Sequence, residues 1–352
     1  MDKINKKVKK CFVQACYNKN NEHIPIWLMR QAGRYMQSYR ILRKKYYFID
    51  LLKNYELSHE VTMQPVKKFN MDAAIVFSDI LVTLYDMGLK IVFPGNAPPR
   101  IDNPIRKIKD VEKLSINNFD LSYSTFKTIN LTKNLLKDTD KAVIGFAGTP
   151  FTLACYALEG TNNKNFHFTK QIMYSNFELW DMLMTKLSSM IKRYIIEQIK
   201  FGADVIQFFD SWGGILSLED YMQYAYPYMN DIINHVKKNS NVPIIYFSKH
   251  TGSYINEIIQ QNIDVLSVDW TTPIEKIIYI NKYNKTIQGN LDPSILLYDW
   301  NIIKPKIEIL LNKIKNNGID LKSYIFNLGH GILPPTSEYN VKKLIEYVHS
   351  FR

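Results

Sequence analysis

Residues 179–210 read LWDMLMTKLSSMIKRYIIEQIKFGADVIQFFD, a long segment of mixed polarity that ends in a short apolar run. Apolar residues recur in it at steps of three and four, at Leu179, Leu183, Leu187, Met190, Ile191, Tyr194, Ile195 and Ile199. That spacing places them on one face of an α-helix. Gly202 predicts the end of the helix, because glycine tolerates a positive φ. The stretch therefore predicts a helix that leads into a strand over residues 203–209.

Short apolar runs of the same kind alternate with long amphipathic segments along the chain, which is typical of βα units around a parallel sheet. Eight strands are predicted, over residues 24–29, 73–78, 142–147, 203–209, 243–248, 263–268, 285–289 and 324–328. Eight units in 352 residues favour an α/β fold of the closed (β/α)8 TIM-like barrel type over an open doubly wound sheet. Neither an internal repeat nor a long linker divides the chain, so we expect a single domain over residues 1–352.

Composition excludes several classes of protein. A hydrophobic content of 46% is that of a folded globular chain, and no run approaches the roughly 20 apolar residues of a membrane span. The three cysteines have no paired spacing, which predicts reduced structural thiols and no zinc site. A net charge of +12 suits an acidic partner, but no basic stripe with interleaved aromatic residues accompanies it, so we expect no nucleic-acid partner.

Arginines carry more information than lysines in this lysine-rich chain. Arg30, Arg34, Arg40 and Arg43 fall within fourteen positions of one another. The guanidinium group is a rigid fork of donors that matches a carboxylate or a phosphate. This density indicates a binding site for acidic groups.

In a barrel of this type, the functional side chains lie at the carboxyl ends of the strands. The predicted strands lead there into polar residues: Arg30, Asp79, the Gly148-Thr149-Pro150 turn, Asp210 with Ser211, Lys249 with His250, Asp269 and His330. The fold would bring a cationic cluster, several acids and a histidine to one mouth.

Two stretches of the sequence resemble the signature motifs of the uroporphyrinogen decarboxylase family. Residues 25–35 read PIWLMRQAGRY, and residues 145–153 read GFAGTPFTL, followed by Tyr156 and Glu159-Gly160. Further similar motifs are FSDI at 77–80, FDS at 209–211, QGNLDP at 288–293 and GHGI at 329–332. The motifs span nearly the whole chain in the order of the family.

The resemblance implies a distorted (β/α)8 barrel with a deep cleft at the carboxyl ends of the strands, in a protein that forms a homodimer. It implies four successive decarboxylations of the acetate groups of a tetrapyrrole, from uroporphyrinogen III to coproporphyrinogen III, in haem and porphyrin biosynthesis. It also implies that the reaction needs neither a metal nor an organic cofactor. The expected partners are this substrate and a second copy of the chain, without nucleic acid or membrane.

The resemblance also assigns roles to residues. Asp79, Arg30 and Tyr156 are predicted to be catalytic, with Asp79 accepting hydrogen bonds from the pyrrole N–H groups. Substrate contacts are predicted for Arg30, Gln31, Ala32, Gly33, Arg34, Arg43, Asp79, Tyr156, Ser211 and His330. The alternatives from local sequence are that Asp79 caps the helix after Ser78 and that the arginines are surface charges, a question left open for Arg40.

Trp212 departs from part of the family, because some animal members carry a histidine at this position. Tryptophan there resembles the bacterial and plastid type, which favours a plastid location with the presequence absent from this chain; the alternative is the cytoplasm. The first ten residues hold five lysines and lack the apolar segment of a secretory signal.

Two rival functions remain open at this point. A corrinoid-dependent methyltransferase would share the barrel, but it needs a His-x-Cys zinc motif, and Thr251 and Gly252 follow His250. A tetrapyrrole carrier without turnover would be expected to lose Asp79 or an arginine of the first motif, and both are present.

Overall fold

The computed structural model describes residues 9–19, 21–95, 98–161 and 165–352, so most of the N-terminal lysines lie outside the described residues. The strands are β1 Ala73–Ile75, β2 Ile91–Val92, β3 Arg100–Ile101, β4 Ala142–Gly148, β5 Val205–Asp210, β6 Ile244–Ser248, β7 Val265–Val268 and β8 Thr286–Gln288. The helices are α1 Cys11–Cys16, α2 Gln37–Lys45, α3 Phe48–Lys53, α4 Tyr55–Phe69, α5 Val82–Asp86, α6 Ile108–Glu112, α7 Ser122–Leu135, α8 Pro150–Glu159, α9 His167–Ser175, α10 Phe177–Lys200, α11 Leu218–Tyr224, α12 Tyr226–Asn239, α13 Ile255–Ile258, α14 Ile274–Ile280, α15 Trp300–Asn316 and α16 Glu338–Ser350. Short 3-10 turns lie at Gly213–Ile215, Pro293–Leu297 and Leu321–Ser323.

Six of the predicted strands form one curled parallel sheet in the order β1-β4-β5-β6-β7-β8. Every pair along it is parallel, and successive strands in the sheet follow one another along the chain. All of β4 and nearly all of β5 are buried, which explains why these strands read as continuous apolar runs without alternation. The α/β class predicted from the sequence is confirmed.

The first and last predicted strands differ from the prediction, because segments 24–29 and 324–328 make only isolated parallel bridges. Ile26 bridges to Phe326, and Ile325 bridges to Gln288 of β8. The N–H of Asp72 donates to the carbonyl of Ile26 over 3.0 Å, so segment 24–29 lies between β1 and segment 324–328.

Side chains take the place of ladder partners in these two segments, which is why neither is a regular strand. The Asp72 carboxylate accepts from the Ile26 N–H at 2.7 Å. The Asn327 side-chain oxygen accepts from the N–H groups of Met29 and Leu328, at 3.1 and 2.8 Å. These backbone N–H groups therefore donate to side chains and cannot extend the hydrogen-bond ladder between strands.

The sequence did not predict the antiparallel pair of β2 and β3, in which Ile91 lies opposite Ile101. Each strand has two residues, which is too short for a periodic pattern. The Ile101 N–H donates to the carbonyl of Gly160 at the end of α8, so the pair packs against that helix.

Helix α10 carries the apolar stripe that the sequence predicts. Its face toward the sheet is buried, the Asn176 side chain accepts from the Leu179 N–H at its start, and Gly202 follows it with φ of 111°. Gln198 on this face is fully buried and exchanges two hydrogen bonds, of 2.8 and 2.9 Å, with the backbone of Phe146 in β4. A side chain at Gly145 would overlap the Gln198 amide, so this glycine allows the helix to dock on the strand.

Among the described residues, we find no helix that is both long and apolar enough to cross a membrane.

Candidate active site

Four predicted site residues, Arg30, Asp79, Tyr156 and His330, come together beyond the carboxyl ends of the strands. We call them the carboxyl-end cluster. The positive charge of Arg30 acts on the ionisation of each of the other three side chains. All four side chains are exposed or partly exposed, in contrast to the buried strands that lead to them. A ligand therefore has access to the cluster.

Arg30 has a left-handed backbone, with φ of 60°, which is uncommon for a residue other than glycine. Its side chain runs over Gly331, where any Cβ would overlap the Cγ and Cδ atoms of Arg30. The Ile332 N–H donates to the carbonyl of Met29 at 2.9 Å, so the GHGI motif is bound to the first signature motif. A strained backbone persists only where the surrounding structure enforces it, and such residues are typical of functional sites.

Asp79 follows β1 and begins the turn into α5. One carboxylate oxygen, Oδ1, accepts from the Leu81 N–H at 2.9 Å, which is the local role that the sequence offered as an alternative. Burial raises the pKa of Asp79, while the Leu81 N–H and the positive charge of Arg30 oppose the rise. The helix-start contact and the place in the carboxyl-end cluster thus coexist in one side chain.

Tyr156 and His330 are both held in their neutral forms at pH 7. Burial and the negative charge of Asp79 raise the pKa of Tyr156 to about 12. Burial and the positive charges of Arg30 and Lys249 lower the pKa of His330 to about 4. A phenol and a neutral imidazole can each donate one hydrogen bond to a carboxylate.

Aromatic rings surround these two side chains. The Tyr156 ring centroid lies 6.2 Å from that of Trp212, and the His330 ring lies 6.5 Å from Phe247 and 6.3 Å from Trp270. Ser211, which follows β5, is partly exposed, and its N–H donates to the Thr152 hydroxyl at 3.0 Å. The site therefore offers apolar ring faces next to hydrogen-bond donors, as a ligand with both apolar rings and acidic groups would require.

The other arginines of the N-terminal group, one in the first motif and two in α2, differ in how much of the guanidinium group is available. Arg34 is exposed. Arg43 donates to the carbonyl of Tyr46 at 2.8 Å and lies 5.7 Å from the Phe48 ring. Arg40 donates to the carbonyls of Arg34 and Tyr35, at 2.9 and 2.7 Å, so it holds the loop that carries Arg34 and is not a free surface charge.

Gln31 is fully buried, which changes the role that we assign to it. Its amide accepts from the Leu28 N–H at 3.2 Å and donates to the carbonyl of Ala73 at 2.9 Å. It therefore joins the first motif to β1 and has no free group for a substrate. Ala32 and Gly33 are partly exposed, and a Cβ on Gly33 would lie 3.1 Å from the carbonyl oxygen of Arg30.

The sequence placed Lys249, which follows β6, among the strand-end residues but assigned it no role. Burial lowers the pKa of Lys249, and the positive charge of Arg30 lowers it further against the opposing effect of Asp269. Its Nζ lies 5.9 Å from the Trp270 ring. Lys249 is thus a second cation beside His330, and its place directly after a predicted strand was the available signal.

Asp210 also lies at a strand end, but its carboxylate is fully buried and engaged. It accepts hydrogen bonds of 2.9 to 3.4 Å from Thr149, Thr152, Gly213, Tyr246 and Ser248. These bonds tie the strand ends of β4, β5 and β6 together beneath the site. Asp210 is therefore a positioning residue.

We expect Asp210→Ala to lower the free energy of unfolding by roughly 3 kcal/mol, because it leaves buried hydroxyl groups without an acceptor. Urea unfolding of the purified variant measures this loss. The control is Asp231→Ala, whose carboxylate is exposed and pairs with Lys192, and for which we expect a change below about 1 kcal/mol. Equal midpoints for the two variants would contradict the structural role of Asp210.

Comparison with known protein families gives a match over nearly the whole chain. The family described as Uroporphyrinogen decarboxylase (URO-D) matches residues 7–351. A protein named uroporphyrinogen decarboxylase from Campylobacter jejuni subsp. jejuni serotype O:23/36 (strain 81-176) is 41% identical over 341 residues, which cover 96% of this chain and 98% of the relative. A protein of the same name from Thermodesulfovibrio yellowstonii is 41% identical over 345 residues, which cover 98% and 99% of the two chains.

Among solved structures, a methyltransferase from Methanosarcina mazei matches with a TM-score of 0.78 and covers 97% of this chain and 98% of its own. Its sequence is 17% identical, so the likeness shows a shared fold alone. It gives no support to the corrinoid methyltransferase alternative.

Proposed function

The chain belongs to the uroporphyrinogen decarboxylase family, and from that premise we propose that it removes the acetate carboxyl groups of uroporphyrinogen III to give coproporphyrinogen III. It is accordingly a carboxy-lyase of porphyrin and haem biosynthesis. The observation that carries the proposal is the carboxyl-end cluster, in which one carboxylate lies among cations and neutral donors.

Loss of carbon dioxide from an acetate group leaves an electron pair on a methylene carbon, so the reaction needs an electron sink. Protonation of the neighbouring pyrrole carbon makes a cationic ring that accepts this pair. A second proton then adds to the methylene to make a methyl group, and the first proton leaves the pyrrole carbon to restore the ring, so that one proton in total replaces each carboxylate. The protein must bind the carboxylates, stabilise the cation and exclude bulk water.

Asp79 is suited to stabilise the cation. Its Oδ1 is held by the Leu81 N–H, and in the proposal its carboxylate accepts hydrogen bonds from the pyrrole N–H groups. The negative charge of an ionised carboxylate favours a protonated ring over a neutral one. Because the N–H groups point to the centre of the macrocycle, one carboxylate can serve each acetate in turn.

Arg30 and Arg34 are suited to bind the acidic arms, with Lys249 as an additional cation near Arg30. Tyr156, Ser211 and His330 supply neutral donors. In this proposal Gln31 and Arg40 do not contact the substrate. They position the first motif, because their side chains form hydrogen bonds to the backbone of that motif and of Ala73.

We also propose that segments 24–29 and 324–328 complete the six-stranded sheet to an eight-stranded barrel with a deep cleft, in a single domain. The bridges from Ile26 to Phe326 and from Ile325 to Gln288 support this closure, as does the hydrogen bond from Asp72 to Ile26. The homodimer remains a prediction of the family resemblance.

The prediction of a plastid location has no support from the comparisons, because the relatives named above are bacterial proteins. Tryptophan at position 212 fits a bacterial type equally well. The alternative location, the cytoplasm, fits these relatives, and we keep it as the proposal.

We expect the purified protein to convert reduced uroporphyrinogen III anaerobically to coproporphyrinogen III, through intermediates with progressively fewer carboxylates. Chromatography of the oxidised products measures this directly. We expect the initial rate to be unchanged in the presence of a chelator, because the proposed chemistry uses the side chains and the substrate's own ring. Unchanged substrate would contradict the proposal and favour a tetrapyrrole carrier.

A further inference from the structure

A second cluster of polar side chains lies at the opposite end of β1 from Asp79. Asp72 directly precedes this strand, His23 precedes segment 24–29, and His349 lies in α16. The Nε2 atoms of His23 and His349 lie 3.0 and 2.9 Å from the two carboxylate oxygens of Asp72. One potential ligand atom from each of the three residues lies within 4.8 Å of the others.

Cys11 of α1 adds a fourth donor to this group. Its Sγ lies 3.7 Å from the Nε2 of His23. We call Cys11, His23, Asp72 and His349 the amino-end cluster. Two imidazoles, one carboxylate and one thiol are the ligand types that zinc prefers, and four is the number that structural zinc sites use.

The known separations between these atoms are close to those of ligands around a tetrahedral ion. With metal–ligand distances of about 2.0–2.3 Å, neighbouring ligand atoms in a tetrahedron lie roughly 3.3–3.6 Å apart. The measured separations of 2.9, 3.0 and 3.7 Å lie a few tenths of an ångström from that range. The two imidazoles face different oxygens of Asp72, and Cys11 lies outside the three-residue group whose ligand atoms are within 4.8 Å of one another, so side-chain rotation, largest at Cys11, must accompany binding of an ion.

The surroundings of the cluster also suit a metal. Asp72 is 3% exposed, and its Oδ2 also accepts from the Ile26 N–H at 2.7 Å, which orients the carboxylate as the outer hydrogen bonds of metal sites do. The side chains of His23 and His349 are 24% and 19% exposed, which leaves an entry path for an ion. No residue of the carboxyl-end cluster belongs to this group, so an ion here would be structural.

We propose that His23, Asp72, His349 and Cys11 bind one divalent zinc ion and thereby fasten α1 and α16 to the amino end of the sheet. Each imidazole binds through Nε2 and keeps its proton on Nδ1, and the Cys11 thiol releases its proton as the metal–sulfur bond forms. The inference does not depend on the reaction proposed for the opposite end of the sheet.

The test uses untagged, full-length protein that has been treated with a chelator and dialysed. Cobalt(II) alone is the probe, because tetrahedral cobalt absorbs visible light and a cobalt–thiolate bond adds a band in the near ultraviolet. We expect one cobalt ion per chain, both absorption features, and loss of both when zinc is added. We also expect zinc at 100 times its Kd to raise Tm by about 3–4 °C.

Three variants assign the site. Asp72→Asn and His349→Gln are expected to abolish the cobalt spectrum, and Cys11→Ala is expected to remove the near-ultraviolet band. His235→Gln, which changes a histidine of α12 outside the cluster, is expected to keep the full spectrum. Circular dichroism confirms that each variant is folded before the titration.

The absence of a tetrahedral cobalt spectrum from the wild-type protein would overturn the proposal without any variant. A full spectrum in folded Asp72→Asn or His349→Gln would overturn it as well, because the ion would then lie elsewhere. Bound cobalt without the near-ultraviolet band would overturn the assignment of Cys11.

Discussion

Asp79→Asn is expected to lower kcat by about 10²–10³-fold, the usual effect of removing a charge that stabilises a transition state. Asparagine keeps the shape of the side chain and can still accept from the Leu81 N–H through its carbonyl oxygen. It has no negative charge to place beneath a protonated macrocycle. Initial rates of coproporphyrinogen formation at saturating substrate measure the effect.

The stability of the same variant separates catalysis from folding. Burial raises the folded-state pKa of Asp79 above its unfolded value, so the native state binds more protons than the unfolded state between these two pKa values. The contribution of this group to stability therefore falls as pH rises through that window. Above that window the charged carboxylate opposes folding, and we expect Asp79→Asn to have an equal or higher Tm than the wild type.

Asp86→Asn is the matched control, because it changes a second acid one short helix away. The Asp86 carboxylate accepts from the N–H groups of Leu121 and Ser122, at 2.7 and 3.0 Å. An amide NH2 group facing one of these donors would cost roughly 1–3 kcal/mol of stability. We expect a lower Tm with unchanged kcat. Undiminished turnover in Asp79→Asn would remove this carboxylate from the mechanism.

Arg30→Asn is expected to lower kcat/KM by roughly 10–10²-fold, which corresponds to the loss of charge-assisted hydrogen bonds to a substrate carboxylate. Asparagine is chosen because it tolerates the left-handed backbone that Arg30 adopts. Arg193→Asn changes an exposed arginine on α10 that lies 5.8 Å from the Phe119 ring, and it serves as the control with unchanged kcat/KM.

A titration of His330 tests the position of Arg30 independently of activity. Burial is the main cause of the low pKa of His330, which is about 4, and the positive charge of Arg30 is the second cause. Removal of that charge favours the protonated ring, so the pKa of His330 should rise in Arg30→Asn. NMR spectra of the histidine ring recorded across pH measure it. An unchanged pKa would show that the guanidinium group does not face His330.

The sequence predicted those parts of the fold that depend on one repeated physical pattern. The apolar stripe of α10 and the runs that become β1 and β4 to β8 are long enough, or buried enough, to be recognised. Segments 24–29 and 324–328 have the same composition, but Asp72 and Asn327 take their backbone donors. Such a competition between side chain and backbone depends on tertiary contacts and leaves no periodic signal.

Where a motif and a strand end coincide, as at Asp79 and His330, the structure brings the side chains together as expected, and their roles stay predictions. Prediction from the sequence assigned too much to Gln31, because the motif does not reveal which of its side chains turn inward. It gave Lys249 no role although this residue directly follows a predicted strand, because one lysine in a lysine-rich chain does not stand out until the fold places it beside Arg30. The proposed zinc site at the amino-end cluster departs from the prediction of no zinc site, since its four residues are spread from position 11 to position 349 and leave no motif.

The contact between Arg30 and Gly331 joins positions that are 301 residues apart in the sequence. A polypeptide emerging from the ribosome thus has its first signature motif long before it has the glycine on which that arginine rests. Turnover should consequently begin only once translation has passed the GHGI motif. Fragments that end before this motif should be inactive. Adding the missing C-terminal segment as a separate peptide should restore their activity.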